Sequence, residues 1–449
     1  MTKGHSSLAT AARAQLLRRV EAMRYADAAA APQVSASPSA STDFSTLPGY
    51  DELRFYQSLG QKFGVESPYF RTHDGKAGAH TQIGGKALSN FSSYDYLGLN
   101  GHPEIVEAAK AAIDCYGVSA SASRHVAGQR PVHCELERAL AEHYGVADCL
   151  VFVSGYATNL GVIGHILGPK DLVIYDSLAH NSIVMGAMLS GAARRSFPHN
   201  DLDALERMLV ASRSQFERTL IVVEGLYSMD GDYPDLPRLI DIKSRHNAWL
   251  MVDEAHALGV LGKRGYGTAE HFAVDPRDVD IWMGTLSKTL AGCGGYIAGC
   301  HELVEYLRLT VGVFVYSVAM PPVIAASTYK ALEILHREPE RVQKLQVNGK
   351  AFCALARKYG LDTGNGAGTA VCPIIVADSA VAVMLSQQLL ARGINVQPVT
   401  HPAVPAKASR LRFFLTAMHT DADIAKAVEI TAEELGRVRA RMHSLSPLL

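Results

Sequence analysis

Short apolar runs, each followed by a segment of helical spacing, recur through most of this 449-residue chain and leave few architectures open to it. The runs lie at 149–153, 172–175, 220–223, 249–252, 281–284 and 296–298, with helical patterns between them such as 132–144 and 202–212. A strand that is apolar on both faces must be covered on both, and helices threaded between such strands do the covering. The pattern predicts an α/β fold with a large domain over 105–335 built on a mostly parallel sheet. From 336 the order changes to helix (341–359), strand (372–376), helix (381–392), two short strands (395–398 and 410–414) and a last helix (422–443). That reads as a smaller C-terminal α+β domain over 336–449, with 47–104 a segment packing on it. No internal repeat is visible.

Residues 1–46 differ from the rest. Leu16, Leu17, Val20 and Met23 form a rough helical stripe opposite Arg13, Arg18, Arg19 and Arg24, and a run rich in Ala, Ser and Pro comes after it. The segment reads as a flexible extension with a short helix; a docking helix or an Arg-rich transit peptide are the alternatives. Charge excludes some partners. A net charge of −1 offers no global field for nucleic acid or anionic lipid, and no run of eighteen apolar residues suggests a membrane span. Seven scattered cysteines without a CxxC pair fit reduced thiols in the cytosol, not a disulfide framework or a zinc site.

In open α/β sheets ligands sit beyond the carboxyl ends of the strands, so the residues just past the apolar runs are the candidates. After 149–153 come Ser154-Gly155-Tyr156 and a helix, a place where backbone N–H groups and the helix dipole favour an anion. After 249–252 come Asp253-Glu254-Ala255-His256. A carboxylate leaving a buried strand needs a cationic partner, such as a protonated ring nitrogen, unless it merely caps a helix. After 281–284 come Thr285-Leu286-Ser287-Lys288, ahead of the glycines at 294 and 295. A lysine there is partly desolvated, which lowers its pKa and makes it an amine nucleophile. A phosphate seat, a carboxylate and a lysine, each after a strand, are what pyridoxal 5'-phosphate requires. The dinucleotide pattern GxGxxG is missing, which argues against a nicotinamide dehydrogenase.

Longer strings carry a resemblance. They are Tyr94-Asp95-Tyr96-Leu97-Gly98-Leu99, Ser123-Arg124, Ser154-Gly155-Tyr156-Ala157-Thr158-Asn159 and His180-Asn181-Ser182. Next come Glu224-Gly225-Leu226-Tyr227-Ser228-Met229-Asp230-Gly231, Val252-Asp253-Glu254-Ala255-His256, Thr285-Leu286-Ser287-Lys288, Tyr316-Ser317 and Arg410-Leu411-Arg412. In this order they resemble the α-oxoamine synthases, fold-type I (aminotransferase-like) pyridoxal-phosphate enzymes, from about residue 91 to 436. The resemblance implies that Lys288 is the Schiff-base lysine, that Asp253 pairs with the pyridine nitrogen, that His180 stacks on the ring and that His256 bonds its hydroxyl. It also implies that Gly155, Tyr156 and Thr285 hold the phosphate, with Ser228 near the ring and Ser317 reaching a partner subunit's phosphate. Arg412 matches the arginine that grips the amino-acid carboxylate; Arg410 is assigned to the opposite face of the strand.

The implied reaction is a C-acyl transfer: a small amino acid condenses with an acyl thioester, carried by coenzyme A or an acyl carrier protein, and carbon dioxide and thiol leave. A homodimer with a shared site is implied as well. Three departures refine this. Ser119 and Ala122 stand where glycines are usual, and Tyr94 where an asparagine is frequent. Thr400 and Ala403 replace an arginine and a threonine, which disfavours a short dicarboxylyl donor and favours a neutral acyl group. Ser123 leaves room for a β-carbon, favouring alanine or serine over glycine, and the serine-rich loop resembles members that accompany polyketide assembly lines. An aminotransferase on the same fold is the first rival; a non-catalytic subunit and a carrier-binding module are the others.

Overall fold

The computed structural model describes residues 42–51, 54, 58, 66–401, 403–405 and 407–445. Nearly all of the expected N-terminal extension, including its helix, lies outside the described residues. The chain divides into two compact units, Met1–Ser67 with Gly436–Leu449, and Pro68–Leu435. In the first, Phe44–Thr46 form one 3-10 turn whose Asp43 cap accepts the Ser45 N–H at 2.9 Å. The second holds the sheets and every expected site residue.

Among the described residues, thirteen strands build three sheets. β1 (His80–Ile83) and β2 (Lys86–Asn90) form a hairpin, and the two-residue β11 (Ile394–Asn395) joins β2 in parallel. The large sheet contains β3 (Asp148–Phe152), β4 (Leu172–Asp176), β5 (Ala193–Phe197), β6 (Thr219–Glu224), β7 (Trp249–Asp253), β8 (Ile281–Thr285) and β9 (Gly295–Gly299). Its order is β3-β9-β8-β7-β6-β4-β5, parallel throughout except for β9, which runs against both neighbours. β10 (Val371–Ala377), β12 (Gln397–Val399) and β13 (Ser409–Phe414) make the small antiparallel sheet of the C-terminal domain. This is the fold-type I aminotransferase-like arrangement expected from the alternation.

The expected strands are there because their residues are buried on both faces: every residue of β6 and β9 is buried. Leu150, Val173, Leu220, Val222, Met251 and Ile297 anchor the core, and each fully buried aliphatic side chain contributes about 1.5–3 kcal/mol. Two features differ from expectation. β5 reads Ala-Arg-Arg-Ser-Phe and carries no apolar run; it is an edge strand, where exposed Arg194 discourages further pairing. The single strand expected over 395–398 is two pieces, β11 and β12, which serve different sheets.

The loop between β6 and the helix Leu236–Arg245 ties the large domain to the small sheet. Gly231 lies at φ +70°, its carbonyl accepts the Ala367 N–H at 3.2 Å, and an added Cβ would stand 2.0 Å from the Val371 carbonyl oxygen. Backbone cannot yield as a flexible side chain does. Gly231→Ala is therefore expected to cost at least about 2 kcal/mol, seen as a lower urea midpoint at unchanged slope.

Candidate active site

The strands of the large sheet deliver their polar ends to one place. β3 passes into the helix Gly155–Ile166, capped by Ser154, whose hydroxyl accepts the Ala157 N–H at 3.3 Å. The first N–H groups of a helix lack intrahelical partners, so this end can hold an anion. Gly155 is required by crowding: a Cβ there would meet Thr285 Oγ1 at 2.9 Å and fill the cradle. Thr285 ends β8 and donates its hydroxyl to the Gly294 carbonyl at 2.9 Å, which fixes the strand end against the glycine turn. Tyr156, nearly half exposed, donates to Asn181 Oδ1 at 2.9 Å beside the His180 ring.

β7 ends on Asp253, which is buried. Asn159 Nδ2 donates to Oδ2 at 2.8 Å and the Ala255 N–H to Oδ1 at 2.9 Å. Asn159 sits one helical turn beyond Gly155, so the same helix that offers its N-terminus also orients the carboxylate. Glu224 lies directly across from Asp253 in the β6–β7 register. Its Oε2 accepts the Ser228 N–H at 3.0 Å, while its buried Oε1 has no partner. Burial, then the neighbouring Asp253 charge, push its pKa up to about 8, so Glu224 carries a proton at neutral pH.

Lys288 lies just past β8 and is half-buried. Burial lowers its amine to about 8, against the opposing pull of the Asp253 carboxylate. Its Nζ lies 5.7 Å from the centre of the Tyr94 ring. His180 caps the helix Asn181–Leu189 and bonds Ser182 Oγ through Nδ1 at 2.7 Å. His256 is buried, and its Nδ1 shares a 2.7 Å hydrogen bond with the Tyr96 hydroxyl. Burial depresses both imidazoles, with Lys288 and Arg412 adding to the effect, and His256 falls well below the ordinary histidine range. Both rings are therefore neutral at pH 7.

Arg412 projects from β13. Its Nη1 donates to the Ser228 carbonyl at 3.0 Å, Nη2 lies 3.4 Å from the Tyr94 hydroxyl, and the buried Nε has no partner. Ser228 thus takes part through its backbone. Arg410 does not face the other way. Residues two apart on a strand share a face, and Arg410 Nη1 reaches the same loop, bonding the Met229 carbonyl at 3.0 Å and Asp230 at 2.8 Å. Arg410 is spent on that buried ion pair, whereas Arg412 keeps a free donor.

Two expected site residues stand on other segments. Ser123 precedes the turn Arg124–Gly128, and its carbonyl accepts that turn's N–H groups; Ser317 lies just beyond the short helix Gly312–Val315. The two segments are tied by the Ala319 N–H to the Ala122 carbonyl at 2.9 Å. Sequence reasoning did not single out Asn159, Glu224, Tyr94 and Tyr96 as site residues. Glu224 had a signal, since it ends β6 as Asp253 ends β7; Asn159 had only its spacing of four from Gly155.

Comparisons with known proteins identify the family. A family model, "Aminotransferase class I and II", matches residues 86–430. The chain is 39% identical to 8-amino-7-oxononanoate synthase of Symbiobacterium thermophilum, over 79% of this chain and 91% of that protein. It is 40% identical to 4-hydroxy-2,2'-bipyrrole-5-methanol synthase PigH of a Serratia species, over 76% of this chain and 52% of that one. Among solved structures, the serine palmitoyltransferase of Sphingomonas wittichii matches with a TM-score of 0.83 at 31% identity, covering 88% of this chain and 98% of that one. The chain belongs to the class I and II aminotransferase family and, within it, to the α-oxoamine synthases.

Proposed function

We propose that this protein joins a small amino acid to an acyl thioester, releasing carbon dioxide, free thiol and an α-amino ketone, with pyridoxal 5'-phosphate as cofactor. The observation that carries the reading is the placement of Lys288, Asp253 and Gly155 after three strands of one sheet, with Lys288 desolvated. The residues fit the cofactor: the Gly155 cradle has no room for a Cβ, and Asp253 is a buried carboxylate already oriented by two donors. Gly155, Tyr156 and Thr285 would hold its phosphate, Asp253 would pair with its ring nitrogen, and Lys288 would be the amine that takes its aldehyde. When bound, pyridoxal 5'-phosphate supplies the electron sink for a carbanion at the amino-acid Cα.

The chain's own groups do the rest. Arg412 holds the amino-acid carboxylate with its unused donors. Lys288, near neutrality in its acid–base balance, removes the Cα proton and later returns one. His180 covers one face of the site, and neutral His256 is held in place by the Tyr96 hydroxyl. The Cα then bonds to the thioester carbonyl carbon, the thiol leaves, and the resulting β-keto acid loses carbon dioxide.

Finer assignments rest on single residues. Ser123 favours alanine or serine over glycine, and Thr400 and Ala403 favour an uncharged acyl chain over a dicarboxylyl one. The donor is coenzyme A or an acyl carrier protein; the serine-rich 119–123 loop supports the carrier. Ser317, on a segment apart from Lys288, serves a partner subunit's phosphate in a homodimer. No helix among the described residues is long and apolar enough to cross a membrane, and the scattered free cysteines support a cytoplasmic location.

The direct test supplies glycine, L-alanine or L-serine with fatty acyl-coenzyme A or acyl carrier protein and measures carbon dioxide and free thiol. The two are expected in equal amounts. Pyruvate formed from alanine without any thioester would replace this reading with an aminotransferase. Arg412→Lys keeps the charge but loses the planar fork, and kcat/KM for the amino acid is expected to fall about 10- to 100-fold, mostly through KM.

Lys288 makes a separate prediction about pH. Only the neutral amine is nucleophilic, so a pKa lowered to about 8 shifts its reactivity downward in pH. In cofactor-free protein, trace acetylation of Lys288 by acetic anhydride, measured against a free-amine standard in the same solution, should rise with pH to a midpoint near 8, read by peptide mass spectrometry. Asp253→Asn removes a charge that favours the ammonium form and should lower that midpoint further. A midpoint in the ordinary lysine range would contradict the desolvation argument.

A further inference from the structure

Tyr94 touches three of the groups just assigned to the site. Its hydroxyl lies 3.4 Å from Arg412 Nη2, and its ring centre is 5.7 Å from Lys288 Nζ. The ring packs edge-on against His256 at 6.1 Å and against Phe414 at 4.8 Å. Phe414 in turn lies under the Arg412 guanidinium at 4.6 Å. Yet Tyr94 is 39% exposed, unlike its neighbours Tyr96 and Leu97, which are fully buried. A large aromatic ring that contacts the lysine and arginine on one side and solvent on the other stands at the mouth of the site, not in the core.

We propose that Tyr94 sets the size of the amino acid that the site accepts and positions Arg412 to receive its carboxylate. The inference rests on the reading of Lys288 and Arg412 given above. A carboxylate held by Arg412 and an α-nitrogen brought to Lys288 fix two points of the substrate, and the Tyr94 ring borders the space between those two anchors. Its bulk limits the side chain that fits beside those anchors, where each further methylene against a rigid wall costs about 10- to 200-fold in discrimination. The phenol adds a second effect: it accepts from Nη2 and, with Phe414 beneath and the Ser228 carbonyl at Nη1, holds the guanidinium against rotation. An asparagine or alanine at this position would supply neither the wall nor the ring contacts.

Two variants separate the effects, in the full-length protein loaded with pyridoxal 5'-phosphate. Tyr94→Phe keeps the wall and removes the hydroxyl. The dissociation constant for L-alanine, titrated without thioester through the absorbance of the lysine-bound cofactor, should rise about fivefold, with kcat falling less than about twofold. Tyr94→Ala removes the wall, and the kcat/KM ratio of L-norvaline to L-alanine should rise at least about tenfold over the wild type. Phe at this position should leave that ratio unchanged. A wild-type ratio in Tyr94→Ala, together with a wild-type alanine dissociation constant in Tyr94→Phe, overturns the proposal while the condensation itself stands. A wild-type protein that binds no amino acid and releases no thiol overturns both.

Discussion

An amine and two carboxylates stand at or just past the ends of three adjacent buried strands, and the surrounding site is arranged around their burial. Glu224 and Asp253 end β6 and β7, and Lys288 lies three residues past the end of β8; the three strands are neighbours in the sheet. Isolated charges there would be costly, so the site distributes them. Asp253 takes two hydrogen-bond donors, Glu224 keeps a proton, and Lys288 gives up part of its affinity for one. The same burial that penalises the charges readies the lysine for chemistry near neutral pH. A surface lysine in the same sequence context would be protonated and inert.

The small sheet completes the site through the loop after β6. That loop donates the Ser228 N–H to Glu224 and offers its carbonyl to Arg412, while Arg410 locks it by the buried pair with Asp230. Arg410 is spent on an ion pair while Arg412, two residues on, keeps an unpaired Nε, and the difference lies in what each finds, not in which way the strand points it. His199 braces the other side of the loop, bonding Asp176 and Asp232 at 2.9 Å each. Burial opposes its charge, but the two carboxylates prevail and raise it to about 10, so it stays a cation in the working range. The loop is thus held by charge pairs at both ends, and Gly231 lets it approach Val371 in between.

Much of this was legible in the residue order. β3, β4 and β6 to β9 showed as apolar runs because buried strands need such residues, and Asp253 and Lys288 stood out as polar residues at the ends of those runs. β5 was invisible, since an edge strand with two arginines carries no such run. The reversed direction of β9 leaves no mark on its own composition. The register that sets Glu224 beside Asp253 and the packing that brings Tyr94 onto Arg412 join residues far apart in the chain, and no local pattern reports them. Arg410 shows the converse failure: strand periodicity alone would have placed it with Arg412. The likeness to known proteins establishes the family, and the geometry shows why polar residues stand at these strand ends.

If Lys288, desolvated beside Asp253, moves the proton at the amino-acid Cα, that proton must exchange with solvent even when no acyl donor is present. The decisive experiment incubates the cofactor-loaded protein with L-alanine in D2O, without thioester, and follows loss of the Cα proton by NMR. Wild-type protein is expected to exchange that proton, with Lys288→Ala slower by about 10³-fold and Asp253→Asn also impaired. Equal exchange by wild type and Lys288→Ala would show that another group moves the proton.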